Sequence, residues 1–116
     1  MNLILYGIRN CDTVRKARNW LKNQHINYQY HDLRTDGLDP GVLKSWLDQK
    51  GYTEIINQRS KSWRQLPEEQ KRQLNDSSAL ALIQDNPTLI KRPILAGHQL
   101  LLIGFSDTLY NTLLTN

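Results

Sequence analysis

The first apolar run of the chain is short, Leu3-Ile4-Leu5-Tyr6, and ends at Gly7, which predicts a buried strand of a parallel sheet. The period then changes. Val14, Ala17, Trp20 and Leu21 recur at helical spacing, Arg15, Lys16, Arg18, Asn19 and Lys22 take the other faces, and Asp12 or Thr13 can cap the helix. Ile26, Tyr28 and Tyr30 next alternate with Asn27, Gln29 and His31, the period of a second strand. A strand, a helix and a strand at this spacing form a right-handed crossover with the two strands parallel.

The middle of the chain reads as helical and irregular. Asp39-Pro40 supplies an N-cap and a proline in the first turn, Val42, Leu43, Trp46 and Leu47 form an apolar face, and Gly51 suits the end. A second piece runs from Pro67 to about Leu74, with Glu68 and Glu69 at the positive end of its dipole. A third begins near Asp76 or Ser77, carries Leu80, Leu82 and Ile83, and stops before Asn86-Pro87, because a residue preceding proline avoids the helical region. Ile94-Leu95 and Leu100 to Ile103 then predict a hairpin across a four-residue loop, Ala96 to Gln99. Ser106 or Asp107 caps a final helix whose Leu109, Tyr110, Leu113 and Leu114 are expected to face the sheet. The order describes an α/β fold, a four-stranded mixed sheet with a helical insertion at about residues 38–88 between the second and third strands.

Composition narrows the picture. A length of 116 residues suits one domain, spanning 1–116, and 39% hydrophobic with 22% charged residues describes an ordinary globule. The N-terminal apolar run is too short for a signal-peptide core or a membrane span, so the protein is expected in the cytoplasm, away from membranes. The balance of 15 Lys and Arg against 11 Asp and Glu gives +4, compatible with an anionic substrate. The basic residues are scattered without an aromatic-interleaved stripe, which argues against nucleic acid. His25, His31 and His98 lie far apart without cysteine or carboxylate companions at ligand spacing, so no metal site is expected.

One cysteine cannot form an internal disulfide, and Cys11 falls between the end of the first strand and the start of the first helix. Unpaired backbone N–H groups and the positive end of a helix dipole at such a junction favour a thiolate over a thiol. Arg9 and Arg15 act in the same direction and Asp12 against it. The alternative, an inert core thiol, fits poorly with the polar setting Asn10-Cys11-Asp12. Taken alone, Arg59 among Gln58, Ser60 and Lys61 reads as a solvated surface charge, and Arg92 as a residue flanking the sheet edge. Trp20, Trp46 and Trp63 read as packing residues.

The run Leu5-Tyr6-Gly7 leading to Asn10-Cys11-Asp12-Thr13-Val14-Arg15-Lys16-Ala17 resembles the active-site segment of the arsenate reductase (ArsC) and Spx family. Ile56-Asn57-Gln58-Arg59-Ser60-Lys61 resembles that family's central arginine segment, and Ile90-Lys91-Arg92-Pro93-Ile94-Leu95 its Arg-Pro segment. Asn10 to Thr13 and the ending Gly104-Phe105-Ser106-Asp107 are similar to the YffB branch. The resemblance implies a thioredoxin-like fold with a helical insertion. It also implies that Cys11 is the nucleophile, that Arg59 and Arg92 hold an anion beside it, and that Thr13 and Val14 offer backbone N–H groups. Pro93 resembles the cis-proline that thioredoxin-like folds set opposite the reactive cysteine.

Two departures refine the expectation. Val14 stands where Spx-type regulators carry the second cysteine of a Cys-X-X-Cys pair, so an external thiol must release Cys11, and glutathione is the thiol expected in a cytosol. Gly104 stands where the glutathione-linked arsenate reductases supply a third arginine, which lowers the expected capacity for arsenate. The expected function is therefore a glutathione-dependent thiol–disulfide reductase with no bound cofactor. Glutathione is the co-substrate, a small mixed disulfide the preferred substrate, and arsenate a poorer one. The competing expectations are an Spx-like regulator that binds RNA polymerase and a non-catalytic glutathione-binding protein. The missing cysteine pair, and the end of the chain at Asn116 directly after the last helix, are read as counting against the regulator.

Overall fold

The computed structural model describes residues 2–114. Its elements are β1 (Ile4–Gly7), α1 (Asp12–Asn23), β2 (Gln29–Asp32), α2 (Pro40–Lys50), α3 (Tyr52–Ile55), α4 (Lys61–Arg64) and α5 (Glu68–Arg72). There follow α6 (Asp76–Asp85), a 3-10 turn (Pro87–Leu89), β3 (Ile94–Gly97), β4 (Leu100–Ile103), α7 (Asp107–Asn111) and a second 3-10 turn (Thr112–Leu114). They group into two units, one formed by Met1–Gly37 with Arg92–Asn116 and the other by Leu38–Lys91.

In the first unit the strand order is β2-β1-β3-β4. The β1–β2 pair is parallel and the β1–β3 and β3–β4 pairs are antiparallel, the mixed sheet of a thioredoxin-like fold. Ala17 and Leu21 of α1 pack with Leu5, Leu95, Leu102 and Tyr110 into one apolar cluster, with Tyr28, Tyr30 and Phe105 partly buried against it. The stripe read from sequence is what α1 buries. Val14, Ala17 and Leu21 are inside and Trp20 is half-buried.

Three local features differ from the sequence reading. The second strand begins at Gln29 rather than Ile26, because Ile26 completes the end of α1. His25 takes the left-handed conformation (φ 57), its N–H bonds the Lys22 carbonyl, and the Ile26 N–H bonds the Leu21 carbonyl. This is the Schellman arrangement, with histidine in the usual glycine place. The hairpin loop has two residues, His98 and Gln99, since Ala96 and Gly97 continue the ladder opposite Leu101 and Leu100. Leu114 points outward at 52% exposure, because α7 tightens into a 3-10 turn after Asn111 and the 3.6-residue period that aligned it with Tyr110 is lost.

The second unit follows its caps. The Asp39 carboxylate accepts the Val42 N–H at 3.2 Å with Pro40 as the first helical residue. The third helical piece begins at Asp76, as expected, and Asn75 before it forms a reciprocal capping box with Ser78. Leu43, Trp46 and Leu47 of α2 and Ala79, Leu82 and Ile83 of α6 are buried, and the two helices pack together. Leu80 of α6 is only half-buried. The one-turn helices α3 and α4 escaped the sequence reading, because four residues display no period. Backbone bonds from Asn57 N–H to Leu89 and from Lys91 N–H to Ile55 tie segment 55–57 to segment 89–91.

Candidate functional site

The thiol sits where the sheet hands over to the first helix. β1 ends at Gly7, whose carbonyl accepts the Leu33 N–H at 2.8 Å. Two residues on, the Arg9 N–H donates to Asp32 Oδ2 at 3.2 Å. Asn10 then turns the chain through the left-handed region (φ 65), a conformation asparagine tolerates better than most residues. Cys11 follows in extended geometry (φ −105, ψ 120) as the N-cap of α1, a place the sequence reading gave to Asp12 or Thr13. Its carbonyl accepts the Arg15 N–H at 3.0 Å, closing the first turn.

Cys11 is half-buried, so it is not a core thiol, and its side chain caps no backbone N–H. The sulfur is thus free of a structural duty at a helix end where N–H groups lack intrahelical partners. Arg15 Nη1 is engaged with Asp12 Oδ1 at 2.8 Å on the exposed side of the first turn, so these two opposed charges largely offset each other. Val14 is 3% exposed and packs on Gly7, where an added Cβ would stand 2.9 Å from both valine methyls. Thr13 is exposed and lines a cleft of about 550 Å³ with Lys16, Asn19, Trp20, Phe105 and Ser106. Cys11 is not part of its lining.

Arg92 and Pro93 enter the sheet beside β1. Ile94 pairs with Tyr6, so the two residues before it lie at the end of the sheet from which the Cys11 loop departs. The Arg92–Pro93 bond is cis and Pro93 is fully buried. The Pro93 carbonyl accepts the Gly104 N–H at 2.8 Å, and Gly104 has φ +80, a region that residues with a Cβ rarely occupy. Cys11, Thr13, Val14, Arg92 and Pro93 all belong to the first unit. Arg59 belongs to the second, exposed on the turn before α4, with its N–H donating to Asn57 Oδ1 at 3.0 Å. Among the described residues no group of three or more His, Cys, Asp or Glu side chains could hold a metal ion. None of their helices is long and apolar enough to cross a membrane.

Two residues around the thiol escaped the sequence reading. Asp32, at the end of β2, is the buried charged side chain among the described residues at 6% exposure. Burial pushes its carboxyl upward. The N–H groups of Thr35, Arg34 and Arg9, with the Arg9 charge, outweigh that push and hold it below the ordinary value of 3.8. The run Asp32-Leu33-Arg34-Thr35-Asp36-Gly37, polar apart from Leu33, after an alternating strand was an available signal for an aspartate-initiated turn. Tyr30 is the second. Its hydroxyl is raised above 10.0, first by burial and next by Asp32, with Arg18 and Arg9 opposing and Cys11 adding a smaller push upward. The Arg18 guanidinium lies 4.2 Å from the Tyr30 ring centre, and its Nε donates to the Tyr28 hydroxyl at 2.9 Å.

Known proteins resemble this chain in sequence and in fold. The model of the ArsC family matches residues 6–113. A Haemophilus influenzae protein described only as uncharacterized is 44% identical over 108 residues, covering 93% of this chain and 95% of its own length. The global transcriptional regulator Spx of Lactiplantibacillus plantarum is 34% identical over 110 residues, covering 90% of this chain and 80% of the regulator. Among solved structures, the YffB protein superposes with a TM-score of 0.90 at 35% identity, covering 96% of this chain and 97% of that one. With a thiol at the β1–α1 junction, an Arg-Pro pair at the start of β3 and a family match over nearly the whole length, the chain belongs to the ArsC family.

Proposed function

We propose that this protein is a glutathione-dependent thiol–disulfide reductase in which Cys11 is the nucleophile and an external thiol resolves it. The observation that carries the reading is the half-buried, uncapping sulfur of the chain's one cysteine at the start of α1. In the first step the Cys11 thiolate attacks the glutathionyl sulfur of a mixed disulfide, the S–S bond breaks, and the departing thiolate takes a proton from solvent. In the second, the thiolate of free glutathione attacks the glutathionyl sulfur now on Cys11, releasing oxidised glutathione and restoring the Cys11 thiolate. The balance is one mixed disulfide and one glutathione consumed, one thiol and one oxidised glutathione formed.

Arg92 and Arg59 are proposed to hold the glutathione carboxylates. Position at the Cys11 end of the sheet supports Arg92, and the family motif alone supports Arg59. A forked guanidinium suits a carboxylate, and each charged hydrogen bond is worth about 1.5–3 kcal/mol. Arsenate is proposed as the slower substrate. Glycine at position 104 leaves the oxyanion one charged donor short, which matters more to a dianion than to a nearly neutral disulfide.

The test is mass spectrometry after exposure to oxidised glutathione, followed by turnover of a small mixed disulfide coupled to glutathione reductase. Wild type should gain one glutathionyl group and turn over in proportion to glutathione, Cys11→Ser should do neither, and Arg59→Ala and Arg92→Ala should each slow turnover by about tenfold or more. Adduct formation without turnover would leave a glutathione-binding protein. The 34% identity to Spx supports one second reading, a regulator docking on RNA polymerase. Valine at position 14, which excludes the paired-cysteine switch, weighs against it. No adduct together with co-purification of polymerase would replace the reductase reading with that one.

A further inference from the structure

We infer that Asp32 is a positioning residue for Cys11, its buried carboxylate holding the Arg9 N–H and so setting where the thiol enters α1. An ionised carboxylate removed from water is costly unless it is fully hydrogen-bonded. Asp32 meets that demand with backbone donors, Arg34 N–H at 2.8 Å and Thr35 N–H at 3.1 Å on Oδ1, and Arg9 N–H at 3.2 Å on Oδ2. The first two bonds are local, and one oxygen serves them both. The third reaches a residue 23 positions away, two residues before the cysteine.

That third bond acts together with its neighbours. The Leu33 N–H on the Gly7 carbonyl continues the β1–β2 ladder past the last paired residues, Gly7 and Asp32. The Arg9 N–H on Asp32 fixes the next stretch of chain. Between this anchor and Cys11 lies only Asn10, in the left-handed region, so fixing Arg9 fixes the direction in which Cys11 leaves the turn. Attack on a disulfide needs the sulfur in line with the bond it breaks, and a misplacement of about 1 Å can lower such a rate a hundredfold.

Asparagine separates this duty from the local turn. It has a single acceptor oxygen, and with that oxygen on Arg34 and Thr35 its NH₂ faces the Arg9 N–H, donor against donor. The inference rests on the reductase reading for one readout and stands apart from it in the other. The first readout is amide hydrogen exchange by NMR. In wild type the Arg9 amide should be protected relative to that of Asn10, and in Asp32→Asn it should exchange faster by about tenfold or more beyond any change shared with the core amides of Leu5 and Leu95. The second is the rate of Cys11 reaction with a glutathione mixed disulfide divided by its rate with iodoacetamide, a small reagent that reports access rather than alignment. Asp32→Asn should lower this ratio about tenfold or more at temperatures where it is fully folded. An Arg9 amide in wild type exchanging as fast as that of Asn10 would overturn the inference even if the variant did not fold. So would an unchanged ratio in a folded variant. A wild type inert toward the disulfide would end the reductase reading instead, leaving the Asp32–Arg9 bond to be judged by hydrogen exchange.

Discussion

Replacing Tyr110 with phenylalanine should make this protein more stable. Tyr110 is 0% exposed, and its ring meets Trp20 edge-on at 5.5 Å and Phe105 at 4.7 Å, contacts that phenylalanine keeps. The hydroxyl is buried and finds no hydrogen-bond partner among the described residues. Burial also drives its ionisation far above the ordinary 10.0. A buried unpaired hydroxyl costs about 1–3 kcal/mol relative to water. Deleting one oxygen leaves a void on the order of 10 Å³, a loss of roughly 0.2 kcal/mol. The first effect dominates, so Tyr110→Phe should gain about 1–2 kcal/mol, or roughly 4–8 °C in Tm. Urea unfolding followed by circular dichroism should show a higher midpoint at unchanged slope. The pH arm has a definite sign. With the folded phenol's pKa raised by burial, the tyrosine has no effect on stability through ionisation below pH 10.0 and opposes folding above it, where only the unfolded chain ionises, so wild type should lose more stability in alkali than the variant. A variant less stable by 1 kcal/mol or more would refute the reasoning and reveal a bonded hydroxyl.

Three further outcomes are expected. Gly7→Ala should destabilise by about 1–3 kcal/mol, because its Cβ would stand 2.9 Å from both Val14 methyls, and adding Val14→Ala should recover part of that loss; strictly additive effects in urea would dismiss the contact. Gly104→Arg should destabilise by about 1–2 kcal/mol, since φ +80 disfavours any Cβ, and unfolding curves that overlay wild type would contradict this. Asp32 sets an acid limit. Its folded carboxyl is lowered from 3.8, so its contribution is present above that pH and fades as pH falls toward the lower folded value, and Asp32→Asn should lack this acid-dependent part in stability measured against pH.

The handover from β1 to α1 was legible in the sequence because both neighbours of Cys11 carry a period, an apolar run that stops at Gly7 and a helical stripe that starts at Val14. The caps at Asp39 and Ser106 and the halt at Asn86-Pro87 were legible for the same reason, each being a local contest for backbone hydrogen bonds within four residues. The arginine and Arg-Pro segments were legible only as motifs. Arg59 has no local pattern to separate it from a surface charge, and its exposed turn adds none. Where local rules failed, they failed by a turn or less. Histidine at position 25 took a glycine's conformation and drew Ile26 into the helix end, and Gly97 paired where a loop was expected.

Asp32 marks the boundary between the two kinds of information. Its aspartate-led turn is written in consecutive residues, but its bond to Arg9 exists only once β1 and β2 pair in the register that sets Gly7 beside Asp32. Periodicity by itself determined which faces are apolar and where helices begin, since those follow from neighbours a few positions apart. The partner of a buried carboxylate and the place of Arg92-Pro93 beside β1 depend on which distant segments come together, and only the tertiary structure decided them.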